Sequence, residues 1–339
     1  MKKRIICLIT LLTVLLLSLP MHIYADTVNV QEVFEKKVYV TQDGYSLNYR
    51  LYLPEDYSED KEYPLILFFH GAGEKGNENE LQLRLGVDKM FSCSSGKVEQ
   101  CIVVAPQCPL LTPDTAKWVD VPNWVDGCTY STDAIPESKP MKAVVELLGV
   151  IKNDYSTDES RWYVTGLSMG GFATWDIIVR HPDLWAAAIP VCGGADYRKA
   201  ELIKDMPIWT FHGTADPTVP YRGTETMVNA LKEAGSTTVR YDAMQNYEHN
   251  IWGAVYSLPT LYTWLFSKVK AEPVVDTEPL DTEPLDTEPQ VTDTQPNNTD
   301  VQTEAAEERS GCLGTVGIGA VAVVATAGAS VAVKRKKED

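Results

Sequence analysis

The sequence predicts an α/β domain built on an open, mostly parallel sheet with helices on both faces and an antiparallel hairpin at its N-terminal edge. Three observations carry that expectation. Between residues 26 and 270, apolar runs alternate with stretches of helical spacing, the pattern of strand-helix-strand units. Leu65-Ile66-Leu67-Phe68-Phe69 and Cys101-Ile102-Val103-Val104-Ala105 are apolar throughout, as strands buried on both faces must be. The first two strand-like stretches, Lys37 to Val40 and Leu47 to Leu53, are joined at Asp43-Gly44, a hairpin turn signal.

Taken in order, the hairpin is followed by the strands at Leu65 to Phe69 and Cys101 to Ala105, then by helical spacing over Met141 to Ile151 that leads into the strand Trp162-Tyr163-Val164-Thr165. Gly171 to Arg180 is helical. Ala186 to Val191 and Ile208-Trp209-Thr210-Phe211 are further buried strands, with a helix at Thr224 to Glu233 before Val239-Arg240-Tyr241 and a closing helix at Leu261 to Lys268. In such sheets ligands gather at the carboxyl ends of the strands.

The remaining segments of the 339 residues have compositions foreign to a packed domain. Residues 1–25 open with Lys2-Lys3-Arg4, run apolar from Ile5 to Leu19 and end on Ile23-Tyr24-Ala25, which reads as a secretory signal peptide. Residues 271–310 carry Asp276-Thr277-Glu278-Pro279-Leu280, repeated at 281–285 and, with Gln290 in place of Leu, at 286–290. Recurrent proline and repelling carboxylates make this an extended, disordered stalk. Residues 311–333 include an uncharged stretch from Leu313 to Val333, and the basic tail 334–339 follows at once with Lys334-Arg335-Lys336-Lys337. That is a transmembrane segment with a cytoplasmic tail by the positive-inside rule, leaving the 26–270 domain outside the cell as an anchored surface protein. The net charge of −17 excludes a basic nucleic-acid footprint. Much of it belongs to the stalk.

An extracytoplasmic domain permits disulfides. Of its five cysteines, Cys192 reads as a buried thiol, and pairing is expected as Cys93–Cys101 and Cys108–Cys128. Metal ligation is not expected, because no Cys-x-x-Cys or His-x-x-His spacing occurs.

Gly166-Leu167-Ser168-Met169-Gly170 lies between a strand and a helix. A serine on that sharp turn needs glycine on both flanks to avoid collisions, and the helix N-terminus places backbone N–H groups beside it. Such a nucleophile needs a base. Of the five histidines, His22 leaves with the signal peptide, His181 sits at a helix end, and His70 and His212 end buried strands and read as structural. His249, on the loop before the final helix, is the candidate base. Asp216, after the penultimate strand, is preferred to Glu248 as its carboxylate, since adjacent residues on an extended segment point opposite ways. The oxyanion donors are expected to be the N–H groups of Met169 and Ala72, with Gly71 as second choice, the latter two lying in the glycine-rich loop His70-Gly71-Ala72-Gly73-Glu74-Lys75-Gly76.

These motifs, with Ala105-Pro106-Gln107, His212-Gly213-Thr214-Ala215-Asp216 and His249-Asn250-Ile251-Trp252, resemble the α/β-hydrolases, in particular secreted carboxylesterases and feruloyl or acetyl esterases. The resemblance covers most of 26–270 and implies an α/β-hydrolase fold and hydrolysis of carboxylic esters by a Ser-His-Asp triad, with no cofactor and no metal. In the long irregular segment 109–140, Trp118, Trp124 and Tyr130 offer aromatic surface, and Trp252 lies three residues from His249. Trp118, Trp124 and Trp252 are the candidate substrate contacts. An esterase displayed on a stalk suits polymers that cannot enter a cell, so esters on plant polysaccharide are favoured. The rivals are a prolyl-oligopeptidase-like peptidase and a non-catalytic surface binding module.

Overall fold

A computed structural model describes residues 28–111 and 115–270. The signal peptide, stalk, transmembrane segment and basic tail expected from the sequence lie outside the described residues. Among the described residues no helix is long and apolar enough to cross a membrane.

Strands β1 (Glu35–Val40) and β2 (Ser46–Tyr52) form the expected hairpin, with Val40 opposite Ser46 and the Thr41 N–H donating to the Tyr45 carbonyl at 2.9 Å. Gly44 takes the left-handed backbone (φ +83°) that this turn requires. β3 (Tyr63–Phe69), β4 (Ile102–Gln107), β5 (Thr157–Leu167), β6 (Ala187–Val191), β7 (Ile208–Gly213) and β8 (Val239–Met244) complete one eight-stranded sheet in the order β1-β2-β4-β3-β5-β6-β7-β8. β2 pairs antiparallel with both β1 and β4, and every pairing from β4 to β8 is parallel.

The continuous apolar runs divide their side chains between two cores. Leu65, Leu67 and Phe69 face one side, and Ile66 and Phe68 the other, the period-two alternation of a strand. The first core is closed by α3 (Lys139–Asp154), α4 (Met169–Arg180) and α5 (Arg222–Glu233) through residues such as Val144, Phe172 and Met227. The second is closed by α2 (Val87–Cys93) with Met90, α6 (Trp252–Tyr256) with Tyr256 and α7 (Pro259–Leu265) with Leu261. A one-turn helix α1 (Val30–Val33) precedes the sheet, capped by the Asn29 side chain. α3 starts where the Ser138 hydroxyl accepts the Met141 N–H at 3.2 Å and Pro140 occupies the first turn.

Three expectations need correction. The helix expected from Leu261 to Lys268 is α7, which starts two residues earlier, where Pro259 occupies the first turn, and ends at Leu265; the short α6 before it was not expected. β5 begins at Thr157 rather than Trp162, its register shifting against β3 between Tyr63 and Leu65. Neither expected disulfide is present, since Cys93, Cys101 and Cys128 are free thiols, as is Cys192. The Cys101 thiol donates to the Lys97 carbonyl at 3.3 Å, whereas Cys93 lies 3.6 Å from the Ser92 hydroxyl. Cys128 is wedged against the backbone of Gly194 and Gly223, where a Cβ would come within 2.6 and 2.3 Å of its carbonyl oxygen. Alkylation of the denatured chain without reductant, followed by peptide mapping, should therefore label Cys93, Cys101, Cys128 and Cys192. A cross-linked peptide joining Cys93 to Cys101, or Cys108 to Cys128, is the contrary result.

Candidate active site

Ser168 occupies the turn between β5 and α4 with a left-handed backbone (φ 55°, ψ −117°) that non-glycine residues rarely adopt. The turn is held shut by near-contact of backbones. A Cβ on Gly166 would lie 2.4 Å from the Gly170 carbonyl oxygen, and one on Gly170 would lie 2.1 Å from that of Phe69. The Ser168 N–H donates to the Val191 carbonyl at 2.9 Å, so the strain is fixed by the neighbouring strand.

Three loops at the carboxyl ends of parallel strands bring the sequence-predicted residues together. The Ser168 hydroxyl donates to His249 Nε2 at 2.8 Å, and His249 Nδ1–H donates to Asp216 Oδ2 at 2.6 Å. The other carboxylate oxygen of Asp216 accepts the N–H groups of Thr218 and Val219 at 2.8 and 2.9 Å. Burial alone would raise the Asp216 pKa, but hydrogen bonds from His212, His249 and the Val219 N–H outweigh it and hold the carboxyl well below its usual range. The loop of His249 lies directly on that of Asp216. The Ala215 N–H donates to the Tyr247 carbonyl at 2.9 Å, and a Cβ on Gly213 would stand 2.3 Å from the Glu248 oxygen. Glu248 itself is exposed.

Met169, the residue after Ser168, begins α4, whose first N–H groups have no intrahelical acceptor. Across the site, His70 Nδ1–H donates to the Gly71 carbonyl at 2.6 Å and the Glu74 N–H reaches the same oxygen at 3.3 Å. In a trans peptide the carbonyl and the following N–H point opposite ways, so anchoring Gly71 oxygen directs the Ala72 N–H outward from the anchor. That geometry favours Ala72 over Gly71 as the donor. His70 Nε2 accepts the Cys108 N–H at 2.9 Å, and burial pushes the His70 pKa down to about 4.

Of the aromatic candidates, Trp118 must be reassigned. It is fully buried, packs edge-on against Phe69 and His70, and donates its indole N–H to the His70 carbonyl at 3.3 Å. It braces the Ala72 loop from behind. Tyr130 is likewise buried, its hydroxyl donating to Asp176 at 3.1 Å. Trp124 and Trp252 are half-buried, the first tilted against Phe172 and the second edge-on to the His249 ring at 5.5 Å.

The sequence reading missed the contribution of His212, treated there as structural; its Nε2 lies 3.2 Å from Asp216 Oδ2. The four-residue spacing within His212-Gly213-Thr214-Ala215-Asp216 was the available signal. Cys192 was also missed: its sulfur lies with Asp216 and His249 ligand atoms inside 4.8 Å. Burial pushes that thiol up, and it donates to the His249 carbonyl at 3.3 Å. A protonated thiol beside a hydrogen-bonded pair is poor chemistry for a cation.

Residues 56–259 match the phospholipase/carboxylesterase family. The chain belongs to that family. It is a family of carboxylic ester hydrolases. A solved thermostable esterase is 36% identical with a TM-score of 0.62, covering 71% of this chain and 64% of its own. The carboxylesterase SOBER1 of Arabidopsis thaliana is 25% identical over 218 residues, 60% of this chain and 90% of that one. The bifunctional acetylxylan esterase/xylanase XynS20E of Neocallimastix patriciarum is 27% identical over 138 residues, 41% of this chain and only 20% of that protein.

The buried neutral His70 makes stability pH-dependent. Its folded pKa is depressed, so the unfolded chain binds the extra proton first, and stability present above about pH 6.5 is lost as pH falls toward about 4. Thermal melts from pH 7 to 4 should show a falling midpoint, and His70→Gln should flatten that dependence while lowering the midpoint at pH 7. An unchanged slope in the variant would contradict the assignment.

Proposed function

We propose that the protein is an extracytoplasmic serine esterase that hydrolyses carboxylic esters through an acyl-enzyme, with Ser168 as nucleophile, His249 as general base and acid, and Asp216 as the carboxylate that orients it. The observation that carries this reading is the continuous relay from the Ser168 hydroxyl through His249 to Asp216, with bonds of 2.8 and 2.6 Å. Ser168 loses its proton to His249 as its oxygen attacks the ester carbonyl. The Asp216 carboxylate then stabilises the imidazolium. The N–H groups of Ala72 and Met169 receive the oxyanion, and His249 returns the proton to the departing alcohol. Water repeats the sequence on the acyl-enzyme.

The proposed substrates are acyl or phenolic esters on plant polysaccharides or their fragments. Support comes from the family match, from the relative named as an acetylxylan esterase, and from the half-buried indoles of Trp124 and Trp252, residues suited to stacking on sugar or phenolic rings. The proposed location is the cell surface, held by the C-terminal hydrophobic segment beyond the acidic stalk and exported by the N-terminal signal. These assignments rest on the sequence of the two ends.

Three outcomes check this reading on the full-length protein. A fluorophosphonate probe should label Ser168, with Ser168→Ala unlabelled; Asp216→Asn should lower kcat by about 10⁴-fold with the fold intact. In a panel of short-chain p-nitrophenyl esters, methyl ferulate, acetylated xylan and prolyl amides, the esters should be turned over, and a preference for prolyl amides would overturn the assignment.

A further inference from the structure

His212 ends β7 fully buried, and its hydrogen-bond partners determine its protons. Nε2 lies 2.9 Å from the Val219 carbonyl oxygen and 3.2 Å from Asp216 Oδ2. Both are acceptors, so Nε2 must carry hydrogen. Nδ1 lies 2.8 Å from the Thr224 hydroxyl oxygen. That hydroxyl has one proton, which it donates to the Gly193 carbonyl at 2.8 Å. Thr224 therefore faces His212 with a lone pair, and Nδ1 must donate as well. A neutral ring in either tautomer would leave two buried lone pairs opposed at hydrogen-bond distance, a costly arrangement away from water.

We propose that His212 carries protons on both ring nitrogens and is a positioning residue for hydrolysis, a fixed buried cation that shares Asp216 Oδ2 with His249 and disfavours premature protonation of His249. This inference rests on the proposed roles of Ser168, His249 and Asp216. His212 neither gives nor takes a proton during the reaction. The proton removed from Ser168 goes to His249, and the negative charge passes to the substrate oxygen.

The electrostatics follow from the shared oxygen. Two rings bonded to one carboxylate oxygen stand within about 6 Å of each other, close enough for like charges to shift a titration by a unit or more. With His212 cationic, the resting Asp216–His212 pair is neutral, and a positive charge stands beside His249. Of the other titratable groups here, Cys192 and Tyr241 stay neutral over the working range, and Glu225 of α5 is exposed, where solvent screens it. Cys192, on the β6 side, is pushed up by burial, with the Asp216 charge adding to that. Tyr241 on β8 is also pushed up by burial, with Glu225 and Tyr221 of the α5 region and Cys192 within its electrostatic reach.

The direct test is ring-nitrogen NMR of the full-length protein labelled with ¹⁵N-histidine at neutral pH. One histidine should show two protonated ring nitrogens, and His212→Gln, which keeps a neutral donor where Nε2 stood, should remove that signal. The second arm is kcat/KM against pH, whose acid limb reports the base of the free enzyme. His212→Gln should move that limb upward by about one pH unit, and activity well below the limb should drop about tenfold, since a nearby opposite or like charge shifts a pKa by roughly one to three units. Thr224→Val, which removes the acceptor that demands the second proton, should move the limb the same way and serves if His212→Gln does not fold. A merely structural His212 predicts the opposite, since a loosened Asp216 would leave the limb in place or lower it. A lone pair on either His212 nitrogen in the wild type would overturn the proposal. The spectrum reads His212 whether or not Ser168 proves to be the nucleophile, so failure of the esterase reading would appear separately, as an unlabelled Ser168.

Discussion

One carboxylate oxygen, Asp216 Oδ2, is the point on which the site depends. It receives His249 at 2.6 Å and His212 at 3.2 Å, while its sister oxygen is fixed by the Thr218 and Val219 amides. Those bonds hold the carboxyl well below its usual range in a place where burial alone would raise its pKa. His249 carries its effect to Ser168. The parallel order of β5, β6, β7 and β8 makes this possible, because all the relevant loops then leave from one end of the sheet.

The scaffold secures these loops by contact between backbones rather than by bulk. Gly166 and Gly170 allow the Ser168 turn to close against β3, and Gly213 lets the His249 loop settle on the end of β7. On the far side, Trp118 holds the His70 carbonyl and the His70 ring holds the Gly71 carbonyl, fixing the direction of the Ala72 amide. In the proposed mechanism such preorganised donors need no rearrangement when charge develops on the substrate oxygen.

How much of this could be read beforehand depended on whether the signal was local. The Gly166-x-Ser168-x-Gly170 spacing encodes part of its own geometry, because a side chain on Gly166 would collide with the Gly170 carbonyl, whereas the collision at Gly170 is with Phe69 of β3. That Asp216 and His249 stand together beside Ser168 was legible from elimination and chain order. Trp118 was not, since the choice between core and cleft is made by Phe69 and His70, far away in sequence. His212 was underestimated for a similar reason: its chemistry comes from Thr224 and Gly193, which the fold alone brings to it. The disulfide expectation failed because counting cysteines says nothing of where their Cβ atoms point.

The proposed hydrolysis requires an ester of Ser168 during turnover. Intact-protein mass spectrometry of the full-length chain, quenched in acid while hydrolysing a slowly deacylating aryl ester, should show a population heavier by one acyl group. Peptide mapping should place that group on Ser168, with nothing acquired by Ser168→Ala. Turnover without any acylated protein, or an acyl group on a different residue, would contradict it.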